Sequence, residues 1–238
     1  MKWAQGGCTD GTYLYQFMIS TDSTKCVIVK IDLATETVVG YSAELDLGHA
    51  NDAAYNPYDD TIAVADCYYS YYLDDDGVTK IYTDYYNTVY ILDAQTLTLE
   101  KTVIVDTGYK TAPISAITYD VETRQYITSN ETQLYFWNED FSEYVNVSSR
   151  ITDGYATQGI DCDGEYIYRL AYRQDSETKA ITNHLVINDM SGNKVADIDL
   201  GISVETENII QYNGKFYVTC NNSSWNGSEV YSLTLTNI

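Results

Sequence analysis

An all-β fold, a five-bladed β-propeller of antiparallel blades, is what this sequence predicts, and three observations carry the prediction. One phrase recurs along the chain: a polar run, an aromatic strand, a second strand and an Asp-led turn. Two copies are close, Gln5-Gly-Gly-Cys-Thr-Asp-Gly-Thr-Tyr-Leu-Tyr15 and Gln158-Gly-Ile-Asp-Cys-Asp-Gly-Glu-Tyr-Ile-Tyr168. Both read Gln-Gly, then Asp-Gly, then Tyr-x-Tyr. Units of about 40–50 residues with about four short strands each match propeller blades. Second, the segments alternate polar with apolar and are split by Gly, Asn and Asp-Gly turns, as antiparallel hairpins are. Third, no helical period holds over a long window. A β-sandwich would accept the strands but would not explain the fivefold recurrence.

The chain reads as one domain, 1–238, with blades at about 5–45, 46–105, 112–150, 157–200 and 203–238. Unit one offers strands at 13–19, 26–33 and 37–41. Unit two opens with Leu47-Gly-His-Ala-Asn-Asp-Ala-Ala-Tyr-Asn-Pro57 and continues at 61–65, 88–93 and 100–105. It carries an insertion at 68–87, a hairpin turning on Asp74-Asp-Asp-Gly77. Unit three has strands at 114–119, 125–128, 133–137 and 142–145. Unit four has 159–162, 166–170, 184–188 and 194–198, with a smaller insertion at 173–183. Unit five has 207–212, 215–219 and 229–234 and lacks a fourth strand. Residues 1–4 are expected to supply it, so that N- and C-terminal strands close the ring and remove its edges.

Hydrophobic residues make up 45% of the 238, enough for a core, and 25 Tyr suit half-buried strands. Only 2 Pro occur, so Pro-rich linkers are absent. The net charge is −22, from 35 acidic and 13 basic residues. Such a surface repels nucleic acid and anionic membranes. It leaves cationic partners, divalent metals and neutral sugars open. No apolar run is long enough to span a bilayer, and no signal peptide precedes the first repeat. The 5 Cys include no CxxC pair and are a poor disulfide framework. Cys67 and Cys220 end inner-type strands and are expected to be buried thiols, whereas Cys8 and Cys162 lie near turns and are expected to be more exposed.

In a propeller the innermost strands line a central channel, and the segments leading into them form a ligand-binding face. Here those segments contribute Gln5, His49, Asn51, Asp52, Ser115, Gln158, Asp161, Glu205, Glu207 and Asn208. They are expected to converge on one funnel. The competing reading is that they satisfy backbone groups around a wet channel. His49 beside a carboxylate could perform acid–base work, and glycosidase chemistry would need a pair among Asp52, Asp161, Glu205 and Glu207. Zinc is not expected, because His184 stands apart from His49. No cofactor is predicted. Asp74, Asp75 and Asp76 supply oxygen ligands at one turn and form a weak calcium candidate, without the alternation of an EF-hand. The tyrosines of the insertion, among them Tyr69, Tyr71, Tyr72 and Tyr85, could stack on sugar faces or peptides.

The blocks Gly48-His-Ala-Asn-Asp-Ala-Ala-Tyr-Asn-Pro57, Gln158-Gly-Ile-Asp-Cys-Asp163 and Glu205-Thr-Glu-Asn-Ile209 resemble propeller-like domains of secreted or cell-surface proteins of Gram-positive bacteria and their phages. The resemblance spans nearly the whole chain and implies an extracellular, cell-surface or virion setting, with other domains of a larger protein as possible neighbours. The Tyr-rich insertion is not part of that pattern. The reading favoured by the residues is a binding module for a glycan or cell-surface ligand. A carbohydrate-active hydrolase and a structural or protein-interaction propeller of a surface or phage tail protein are the alternatives.

Overall fold

A computed structural model describes residues 2–21, 24–73, 75, 80–105, 114–151, 153–222 and 227–235, with the backbone alone at 67–73 and 80–86. Blade one consists of β1 (Trp3–Thr9), β2 (Tyr13–Ile19), β3 (Cys26–Asp32) and β4 (Thr37–Tyr41). Blade two has β5 (Asp52–Asn56), β6 (Thr61–Leu73), β7 (Lys80–Asp93) and β8 (Thr98–Val105). Blade three has β9 (Ala116–Asp120), β10 (Gln125–Ser129), β11 (Gln133–Trp137) and β12 (Tyr144–Ser148). Blade four has β13 (Ala156–Cys162), β14 (Tyr166–Gln174), β15 (Ile181–Asp189) and β16 (Lys194–Asp199). Blade five has β17 (Thr206–Tyr212), β18 (Lys215–Asn221) and β19 (Ser228–Leu233). Within each blade, neighbours in chain order pair antiparallel. The innermost strands β1, β5, β9, β13 and β17 touch in ring order, and β17 returns to β1. The protein is a five-bladed β-propeller.

The repeated phrase has a physical cause at its turn. Oδ1 of Asp10 accepts the amides of Thr12 and Tyr13, each at 2.7 Å, and Oδ2 accepts the Tyr15 hydroxyl at 2.8 Å. Asp163 repeats this with the amides of Glu165 and Tyr166 and the hydroxyl of Tyr168. Gly11 and Gly164 follow at φ +84° and +86°, where an L side chain is strained. Asp-Gly-x-Tyr-x-Tyr is thus a capped turn whose second tyrosine locks the cap.

The core lies between blades. Phe17, Ile28, Leu47, Ile62 and Leu92 fill the space between blades one and two. Val89, Tyr126 and Trp137 fill the space between two and three, and Leu170, Ile187, Ile209 and Val218 that between four and five.

Three expectations change. The run Gln5–Thr9 is itself part of the innermost strand of blade one, so that blade begins at Trp3. The N-terminal strand therefore does not complete blade five, whose described sheet has three strands. β1 has its pairing partner in β2 and its place at the axis. The N-terminal β1 and the C-terminal blade still close the seam, by the β1–β17 contact and through Asn221, whose Oδ1 accepts the Ala4 amide at 3.0 Å and whose Nδ2 donates to the Ala4 carbonyl at 3.2 Å. One side-chain amide imitates a strand pairing. Cys8, expected near the surface, is buried because it faces inward on β1. Cys8, Cys26, Cys162 and Cys220 are free thiols, and the side chain of Cys67 lies outside the described residues.

Candidate functional site

Glycines let the innermost strands crowd the axis. A Cβ on Gly6 would stand 2.2 Å from the Asp52 Cα, and one on Gly159 would stand 2.8 Å from the Asn208 Cα. β1, β13 and β17 each carry a register irregularity at this level. The Gln-Gly pairs of the repeat are therefore places where backbone meets backbone.

Asp52 occupies the centre of that crowding and is fully buried. Its Oδ2 accepts the amide of Ile117 from blade three and the amide of Ile160 from blade four, both at 3.0 Å. Burial holds its carboxyl well above the usual range, against the opposing pull of those amides. A carboxylate engaged by two strands and shut off from solvent is a hub of the ring, and it is poorly placed for catalysis.

The residues preceding this level form a rim on one side. Gln158 Nε2 donates to Glu205 Oε1 at 3.0 Å, joining blades four and five. Glu207 is buried and accepts from Asn221 Nδ2 at 2.6 Å. Burial, then the nearby Glu205 charge, hold the Glu207 carboxyl well above its ordinary range. Glu205 is raised too, by burial, with the Gln158 amide opposing. The tyrosine Tyr172, half-buried, senses both carboxylates. Gln5 is buried, and its backbone carbonyl accepts Gln16 Nε2 at 2.8 Å. Asn208 is buried, and neither of its side-chain amide atoms has a protein partner. Asn51, Ser115 and His49 are half-buried at the starts of blades two and three. The carboxylate that His49 meets is Asp66, which accepts its backbone amide at 2.8 Å, and not Asp52. Burial keeps the His49 imidazole below its usual pKa, hence neutral at pH 7.

Asp161 lies beyond the hub, on the opposite side. It borders a cavity of about 380 Å³ walled by the trailing halves of the innermost strands, including Cys8, Tyr55, Thr118 and Gln211. Its Oδ2 accepts the Gln211 amide at 2.7 Å, and its Oδ1 accepts the Cys162 amide at 2.8 Å and the Thr118 hydroxyl at 3.3 Å. Burial pushes its pKa up to about 7. The expected single funnel is therefore divided. Gln158, Glu205 and Glu207 come together on the rim, Asp52 plugs the axis, and Asp161 faces the far cavity. Glu207 does not line the cavity that Asp161 borders, and the carboxylate whose charge it feels is Glu205.

The hairpin tyrosines Tyr69, Tyr71, Tyr72 and Tyr85 lie on β6 and β7, which beyond Cys67 and Asn87 pair, among the described residues, with each other. Their side chains lie outside the described residues. So do Asp74 and Asp76, while Asp75 is exposed in the turn. Among the described residues, no group of three or more His, Cys, Asp or Glu is arranged to hold a metal ion. Among the described residues no helix is long and apolar enough to cross a membrane.

Sequence reasoning missed the residues that clasp the links between blades. Asn87 Oδ1 accepts the Ile114 amide at 2.9 Å. Asn183 donates to the Ile202 and Val204 carbonyls at 2.7 and 2.8 Å. Arg169, fully buried, donates to the Ser149 and Asn130 carbonyls at 2.8 and 2.5 Å. The available signal was a polar residue within a strand, Asn87 in blade two and Arg169 and Asn183 in blade four.

No protein-family model matches the chain, and no curated protein matches it in sequence. Solved structures do share its fold. An exo-β-1,3-galactanase, 1,3Gal43A from Clostridium thermocellum, aligns at TM-score 0.61 with 12% identity over 98% of this chain and 59% of that one. A variant of the GH43 protein BlXynB from Bacillus licheniformis aligns at TM-score 0.59 with 11% identity over 98% of this chain and 52% of that one. An exo-1,5-α-L-arabinanase from a bovine ruminal metagenomic library aligns at TM-score 0.58 with 12% identity, over 96% of this chain and 91% of that one. This chain thus spans little more than half of the first two. Identity this low establishes a shared propeller fold and nothing finer.

Proposed function

We propose that this chain is an extracellular binding module whose rim recognises a neutral glycan of a cell surface. The observation that carries the reading is the rim itself. Half-buried His49, Asn51, Ser115, Gln158, Tyr172 and Glu205, from four blades, stand over the buried Gln5, Glu207 and Asn208. Sugar hydroxyls donate and accept at once, and the half-buried side chains of Asn51, Ser115 and Gln158 bring both donors and acceptors to the rim. Neither Lys nor Arg belongs to this set, which disfavours anionic ligands, as does the net charge of −22. The galactanase and arabinanase with this fold support a carbohydrate ligand, and the resemblance to surface and phage domains supports the setting. The β6–β7 hairpin would add a second contact surface.

A hydrolase is the second reading, favoured by Glu205 and Glu207, two neighbouring carboxyls both held above their usual range. A panel of neutral polysaccharides scored by calorimetry and by release of reducing ends separates the two. The expected result is binding without product, weakened at least tenfold by Gln158→Ala and by His49→Ala. Unchanged binding in both variants would refute the rim. Product release abolished by Glu205→Gln would establish the hydrolase instead.

A further inference from the structure

Among the described residues, blade five has three strands where the other four blades have four. In blades one to four a fourth strand, β4, β8, β12 or β16, covers the third. Those third strands are largely sheltered: β3, β11 and β15 contain only buried and half-buried residues. Their counterpart β19 is exposed at every residue from Ser228 to Ser232, including Val230 at 56% and Tyr231 at 36%. Among the described residues nothing pairs with its outer edge. A strand edge with free amides and carbonyls beside apolar side chains is a template for a further strand.

Beside this edge runs a groove of about 380 Å³ between blades five and one. Leu14, Ile31 and Leu33 of blade one form one wall, and Tyr217 and Val230 of blade five form the other. Tyr217 pairs with Ser232 of β19, so this row of side chains ends where a fourth-strand residue would extend it over Leu33 and Glu36. Among the described residues no fourth strand covers β19, and no inward side chains of such a strand fill the groove.

We propose that the open edge of β19 is a docking site for an extended segment of a partner polypeptide, which completes blade five as its fourth strand. The occupant is apolar at alternate positions, to fill the groove, and basic between them. The basic preference follows from Glu229, on the face of β19 that alternates with the groove-lining Val230 and Ser232, and from the charge of −22 on the chain. The same charge opposes edge-to-edge pairing with a second copy. The blades supply a template for such a strand. β8 is the longest fourth strand, reads Thr-Leu-Glu-Lys-Thr-Val-Ile-Val, and turns Val103 and Val105 inward.

The test uses a fluorescent synthetic peptide with the sequence of residues 98–105, added to the whole chain and followed by anisotropy. Saturable binding is expected at micromolar to sub-millimolar peptide. Methylating the amides of one alternate set of peptide residues should abolish it, and methylating the other set should not, because only one set faces the edge of β19. Val230→Glu should weaken binding at least tenfold with an unchanged thermal midpoint, since the residue is exposed. A peptide carrying Lys in place of Glu100 should bind more tightly at low ionic strength. Absence of binding at millimolar peptide would overturn the proposal, and so would indifference to both methylation patterns. Equal or weaker binding of the Lys peptide would overturn the basic-strand assignment. A dimer in sedimentation that Val230→Glu dissociates would replace the partner with a second copy.

Discussion

The axis and the rim of this ring are built from the same kinds of residue and use them in opposite ways. At the axis, Asp52 spends one oxygen on two strands at once, and Asp161 spends both on β9, β13 and β17. On the rim, Gln158 and Glu205 engage each other while staying half open to solvent. A buried carboxylate is a candidate for function only after its backbone donors have been counted. By that count Asp52 holds the ring together and the rim is left free for a ligand.

The largest test of the contrast is Asp52→Ala. The amides of Ile117 and Ile160 would lose their shared acceptor inside a closed interior, a cost of about 2–6 kcal/mol for two orphaned donors. Urea unfolding of the variant should show that loss with little change in slope. A cost below about 0.5 kcal/mol, the range of ordinary surface substitutions, would break the hub reading. Next in size is Gly159→Ala, whose Cβ must displace the Asn208 backbone and should cost about 1–3 kcal/mol. Gly40→Ala is the control, because nothing lies within 4 Å of its Cβ position and the strand site has no positive φ. If both alanines cost the same, close approach at the axis is not what the Gln-Gly pair provides.

The ring was legible in the sequence because its signals are local. Asp-Gly-x-Tyr-x-Tyr is a turn, its cap and its lock within a handful of residues, and it recurs. The alternation within each strand is equally local. The innermost strand of blade one was hidden because Gln5-Gly-Gly-Cys lacks the β-branched, aromatic look of a strand. Its pairing is imposed by β2 and by the axis, where only glycine fits. The separation of Asp161 from Glu207 was invisible for a similar reason. Both stand near Gly-rich or Glu-rich starts of innermost strands, and only the bulges in β13 and β17 decide which side of the hub each faces. Asn221, Asn183 and Arg169 act across blades, so their partners are remote in sequence.

A smaller effect should appear in the pH dependence of stability. Burial raises Asp161 to about 7 and Asp66 to about 6. Because the folded pKa lies above the unfolded one, the folded state holds the proton more tightly. The stability from this source is fully present below the unfolded carboxylate value, about 4, and is lost as pH rises through 6 and 7. Urea midpoints should therefore fall between pH 5 and pH 8. Asp161→Asn should flatten that slope, since its side chain no longer titrates. A midpoint independent of pH across this window would mean that these carboxyls are better solvated than their burial implies.

The smallest effect on stability and the most telling one for the rim belongs to Gln158→Ala. The lost hydrogen bond to Glu205 is half-buried between neutral amide and carboxylate, so unfolding should change by only about 1 kcal/mol. Its electrostatic consequence is larger in relative terms. The Gln158 amide is the one contact that draws the Glu205 carboxyl downward against burial. Without it, Glu205 should titrate higher and stay protonated further toward neutral pH, and Glu207 should feel less of its charge. Carboxyl chemical shifts followed by NMR titration would read both changes in one sample. If Glu205 moves up and polysaccharide binding falls while the fold holds, the rim is a polar site tuned by a cross-blade contact. If the titration is unmoved, Gln158 and Glu205 are solvated neighbours, and the distinction between a structural axis and an available rim loses its best-defined pair.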